Sequence, residues 1–236
     1  MNISSASSFR RTGAGLCLLI GPALLLAASI ADPAGGDGGD TGKALRSIVD
    51  DPDRTQISLA LWMYGFALTA LGIIGAVHVI RGRGVTLANI GGALALFGMI
   101  MFAALTALTL DDLNAADKLG VGTAEKLSDD RADYWVGALV LIPALVGTLV
   151  GFILLGAAII RSGVAHMAAG VLIIVGILMV PLSEQSKVFN ILANLLLLAG
   201  WGLVGLKLLT IKDAQWEGRE PLESGPPAAA APPPGA

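Results

Sequence analysis

The sequence predicts an all-α membrane protein, a polytopic transmembrane bundle of six helices. Three observations carry that expectation. Of 236 residues, 55% are hydrophobic and 14% charged, with a mean hydropathy of +0.76, outside the range of soluble domains. Six apolar stretches reach the roughly 20 residues that a helix needs to cross about 30 Å of hydrocarbon while satisfying its own backbone. The 15 Lys/Arg and 18 Asp/Glu all fall outside the span interiors, with Lys207 near an end from which its stem can snorkel.

The spans cover residues 12–31, 57–80, 85–110, 134–160, 164–182 and 188–209. Residues 1–11 form a short N-terminal segment ending in Arg10-Arg11. The first span has a competing reading as a signal peptide, because Ser29-Ile30-Ala31 is a small-x-small cleavage pattern. Its length exceeds the usual 7–15 residues of a signal core, which favours a retained anchor. Arg81 and Arg83 sit in the tight link after the second span, Arg161 in the link after the fourth, and Lys207, Lys212 and Arg219 follow or end the sixth. Basic residues concentrated in short links mark the cytoplasmic side, so both termini are placed inside a bacterial plasma membrane. The connections 32–56 and 111–133 then face outward, holding thirteen acids between them. Within the first, Ala44, Leu45, Ile48 and Val49 recur at helical spacing and predict a short amphipathic helix on the outer interface. From Lys212 onward, a tail containing six of the eleven prolines predicts disorder, so the folded domain spans 12–211 and the tail 212–236.

An internal repeat is legible in the middle of the chain. Gly92, Gly98 and Met101 match Gly170, Gly176 and Met179 at one offset, and Asp53-Arg54 and Asp130-Arg131 precede the second and fourth spans. The second and third spans, and the fourth and fifth, are thus expected to be two parallel copies of one hairpin. With Gly21-Pro22 in the first span, an Ile-x-x-Asp-Pro-x-Arg segment from Ile48 to Arg54, and Arg-flanked turns before Gly-rich helices, residues 10–210 resemble a broad group of uncharacterised bacterial six-helix membrane proteins of actinobacterial type. Thr55-Gln56 stand where that group often carries Trp or His. The resemblance implies a fold and no activity.

Several constellations were weighed as sites. Asn190 and Asn194 lie one turn apart in the sixth span and Asn89 lies in the third; they suggest either a polar cavity lining or a hydrogen-bonded helix clamp. Gly147 and Gly151 form a small-residue stripe for close helix packing, within the chain in preference to between copies. His78 and His166, the only histidines, stand at similar depth and could ligate a haem axially, although interfacial histidines are the simpler account. Asp129-Asp130-Arg131-Ala132-Asp133 and Asp50-Asp51-Pro52-Asp53 have magnesium-like spacing, but no basic phosphate pocket accompanies them and a solvated acidic surface explains them.

Net charge of −3 excludes a basic nucleic-acid-binding face, and the single cysteine, Cys17, excludes an intramolecular disulfide or a cysteine-based cluster. No serine elbow, phosphate loop or His/Glu metal motif is present, so no catalytic, metal-binding or cofactor residue is assigned. The sequence therefore predicts a non-enzymatic multi-pass protein in the lipid bilayer with an accessory, membrane-protein-partner-binding or structural role. Its alternative is a small transporter or channel for a neutral or lipophilic molecule.

Overall fold

Where the chain must turn, its residues supply the caps. Asp40 and Asp51 accept backbone N–H groups of Lys43 and Arg54, opening α2 (Thr41–Asp50) and α3 (Pro52–Val79), and Pro52 occupies the first turn of α3, where its missing N–H costs nothing. Glycines with positive φ, Gly84 and Gly120, bound α4 (Val85–Leu119). The computed structural model describes residues 6–35, 39–132, 134–183 and 185–220. Around these elements stand α1 (Ala6–Ala31), α5 (Val121–Ala132), α6 (Trp135–Ile142), α7 (Thr148–Ser162), α8 (Met167–Met179), α9 (Lys187–Thr210) and α10 (Asp213–Trp216). A wide π turn, Pro143–Gly147, joins α6 to α7, since Pro143 lacks the N–H that would continue the α-helical ladder. A 3-10 turn, Val180–Leu182, ends α8.

The described residues are all-α. Five helices, Ala6–Ala31, Pro52–Val79, Val85–Leu119, Gly137–Ser162 and Lys187–Thr210, are long and apolar enough to cross a membrane, and Met167–Leu182 is a shorter apolar helix. Outward-facing Leu71, Ile74, Phe97, Ile100, Leu195 and Leu206 are exposed, an exterior suited to lipid. Six helices close a ring in which α1 packs on α3, α3 on α4, α4 on α7, α7 on α8, α8 on α9 and α9 back on α1. The turns at Arg81 and Arg161 share one end, here the basic end; α2, α5 and the last turns of α4 share the other, the acidic end.

Two contacts in the ring have the same register. A Cβ placed at Gly151 on α7 would strike Ala95 and lie 2.8 Å from the Gly91 carbonyl oxygen on α4. One placed at Gly200 on α9 would lie 2.9 Å from Ile173 N and 3.0 Å from the Ala169 carbonyl oxygen on α8. Ala95 and Ile173, like Gly91 and Ala169, are related by the same offset as Gly98 and Gly176, and those two glycines meet Thr148 and Leu197, each three residues before the glycine of its own helix. Close approach of backbones is thus built identically into α4–α7 and α8–α9.

The connections differ from the sequence expectation. Residues 111–119 continue α4, because Asp111, Asp112 and Lys118 end the hydrocarbon-compatible run without breaking a helix. α2 packs Leu45 and Ile48 against Leu113, Ala116 and Ala124, so its apolar face meets α4 and α5 in a second small core, where a lipid interface had been expected. The tail expected from residue 212 begins with ordered contacts. Asp213–Trp216 forms a helical turn, Trp216 is buried, its ring lies 4.6 Å from that of His78, and its carbonyl accepts Arg81 Nη2 at 2.8 Å. Residues 221–236 lie outside the described residues.

Candidate functional site

The ring is not filled along its whole length. Toward the basic end, Ile73, Leu155, Ile159, Trp201 and Leu208 form a dry core. Toward the acidic end the helices enclose a cavity of about 580 Å³, within the range of sites for small molecules. All six ring helices contribute, for example Leu25 from α1, Trp62 and Phe66 from α3, Thr106 from α4, Leu149 from α7, Ile177 from α8 and Asn194 from α9. Its floor is aromatic: Phe152, 1% exposed, lines it and meets Trp201 edge to face at 5.3 Å. Asp32, Ala34 and Ile48 lie at the mouth.

The cavity exists because α8 is short. Residues 167–182 rise about 24 Å at 1.5 Å per residue, less than the roughly 30 Å hydrocarbon thickness. α6 runs on toward the acidic end and packs on α4 and α5, with no comparable contact to α8 or α9. The ring wall is therefore incomplete between the Pro143–Gly147 and Val180–Leu182 turns. Leu145, Val146 and Pro181 flank that gap, each lining the cavity while exposed on the outside.

Polar groups on the wall are neutral except at the rim. Among the described residues Asp32 is the sole ionisable member of the lining, and its carboxylate accepts the Ala34 N–H at 3.0 Å while Lys187 Nζ donates to its backbone carbonyl at 2.7 Å. Most hydroxyls are spent on backbone carbonyls: Thr55 on Ile48 of α2 and on Asp51, Ser58 on Thr55, Thr106 on Phe102 and Thr109 on Leu105. Thr148 Oγ1 is different, buried and without a hydrogen-bond partner among the described residues.

Of the residues singled out in the sequence, two meet here. Asn194 Nδ2 donates to Asn190 Oδ1 at 2.8 Å and to the Asn190 carbonyl at 3.0 Å, so the pair bonds along α9 and clamps no second helix. Asn89 is not with them; it is exposed near the start of α4, at the basic end. Gly147 and Gly151 face α4 of the same chain. His78 stacks on Trp216, whereas His166 caps α8 through Nδ1, which accepts the Ala168 N–H at 3.2 Å; neither lines the cavity. In the acidic segments Arg131 pairs with Asp112 at 3.0 Å and Asp51 caps α3. Among the described residues no group of three His, Cys, Asp or Glu comes together as a metal site. Thr148 and the wall residues Trp62, Phe66 and Phe102 went unremarked in the sequence because isolated Thr and aromatic residues in apolar helices carry no periodic signal.

No known protein family, curated protein or solved structure matches this chain.

Proposed function

We propose that this chain is a non-enzymatic, six-span protein of a bacterial plasma membrane, serving as an accessory binding component that holds a neutral lipophilic molecule. One observation carries the reading: a largely apolar cavity walled by all six ring helices and floored by Phe152, which packs edge to face on Trp201. The dry core beneath that floor favours a binding site over a conduit, which sets the channel reading second. Met167–Leu182 serves as the sixth span despite its length, because it completes the ring between α7 and α9. Packing of α1 against both α3 and α9 supports its retention as an anchor. The matched registers of α4–α7 and α8–α9 favour a duplication, but one that pairs the third span with the fourth and the fifth with the sixth, where the sequence paired the second with the third and the fourth with the fifth. Arginine-rich short links favour a cytoplasmic basic end, with both termini inside.

The test is occupancy. Purified protein in nanodiscs is titrated with a brominated long-chain hydrocarbon, and quenching of Trp62, which lines the cavity, is followed in a background where Trp135, Trp201 and Trp216 are replaced by Phe. Saturable quenching that Leu149→Phe abolishes supports the cavity as a binding site. Quenching that rises linearly with probe and ignores the filling substitution refutes it.

A further inference from the structure

Resting on that reading, we infer that the guest is an uncharged single-chain amphiphile drawn sideways from the surrounding leaflet, with its hydrogen-bonding end held by the Asn190–Asn194 pair. The polar chemistry of the wall selects the head. The one hydrogen bond between the two amides consumes the nitrogen of one and the oxygen of the other. Asn190 Nδ2 and Asn194 Oδ1 are left as one donor and one acceptor without partners among the described residues. Asn194 is only 6% exposed and lines the cavity, so whatever enters meets that acceptor. A hydrocarbon guest would cover those amide groups without pairing them, which is unfavourable, whereas a guest with a hydroxyl, ester or amide end supplies the partners.

The lining disfavours an anionic end. Among the described residues no Lys, Arg or His belongs to it, and the Lys187 ammonium at the rim is held by the Asp32 carbonyl at 2.7 Å, beside the Asp32 carboxylate. The rest of the wall, with Phe66, Phe102, Leu105 and Leu149, takes a chain. The gap between the Pro143–Gly147 turn and the Val180–Leu182 turn opens at the level of the cavity on an apolar exterior, which is where a leaflet lipid would pass.

Three brominated probes of one chain length, a monoacylglycerol, a fatty acid at pH 8 and an alkane, are compared by Trp62 quenching in nanodiscs. The monoacylglycerol is expected to bind at least tenfold more tightly than either other probe, and Asn194→Leu or, separately, Asn190→Leu should erase its advantage over the alkane while alkane binding persists. Val146→Phe, placed at the gap, should slow association severalfold. Equal or tighter binding of the fatty acid, or a monoacylglycerol preference that survives both asparagine substitutions, overturns the inference. Alkane binding without head discrimination defeats this inference alone, whereas failure of every probe defeats the binding-site reading as well.

Discussion

Replacing Gly151 by leucine tests the packing of the ring at a point where two helix backbones nearly touch. A Cβ at residue 151 would lie 2.8 Å from Ala95 Cα and 2.8 Å from the Gly91 carbonyl oxygen. Carbon contacts relax at about 3.5–4.0 Å, so α4 and α7 must part by roughly 1 Å before even a methyl group fits. Because the obstructing atoms are backbone, no rotamer change relieves the clash. Overpacking costs typically about 1–3 kcal/mol, and leucine belongs at the upper end of that range. At about 2–4 °C per kcal/mol for a chain of this size, Tm in detergent should fall by about 4–12 °C. Val150→Leu, one residue away on an exposed face, should stay within about 0.5 kcal/mol of wild type. Gly200→Leu should match Gly151→Leu, since it breaks the same register between α8 and α9. Indistinguishable Tm values for Gly151→Leu and Val150→Leu would refute the reasoning, because they would show that the α4–α7 contact has room to spare.

Three further perturbations probe other parts of the chain. In a Cys17→Ala background, an impermeant thiol reagent added to intact cells should label cysteines at positions 40 and 120 and miss position 83; labelling at 83 would invert the proposed topology. Trp216→Ala should lower stability toward the about 3–5 kcal/mol typical of removing a buried aromatic, measured as Tm, while deletion of 221–236 should leave Tm unchanged. Arg11→Leu should cost about 1.5–3 kcal/mol, because its guanidinium donates to the Leu208 and Leu209 carbonyls at 3.1 and 3.0 Å and to Asp213 at 3.0 Å. Asp213→Asn, at the half-exposed end of that ion pair, should cost less than about 1 kcal/mol.

Hydropathy located the apolar helices well but placed their ends poorly, because it reports where a chain leaves hydrocarbon and not where a helix stops. α4 illustrates this: Asp111 and Asp112 mark the exit, yet the helix runs to Leu119 and stops at Gly120, whose φ of +84° ends it. The asparagines show a second gap. Asn89 and Asn190 each lie a few residues into their helices, but α4 begins at the basic end and α9 at the acidic end, so a count of depth along antiparallel helices separates them. Trp216 was masked by the composition of the proline-rich segment behind it. The cavity itself was not legible, since it arises from a shortfall in α8 that becomes a hole only when its neighbours are longer.

The seam of the ring lies between its first and last helices, where Gly15 and Gly205 bring α1 and α9 into backbone contact and Arg11 holds the end of α9. A chain made from its N-terminus cannot finish this circle until its last span has left the ribosome. Until then α1 and α8 present unsealed flanks to lipid, and a chain truncated within α9 would be left as an open arc. The same neighbourhood brings residue 6 and residue 216 to one end of the molecule. A permuted gene that fuses the two termini and begins at Arg83 should therefore encode the same circle, with a different helix arriving last to close it.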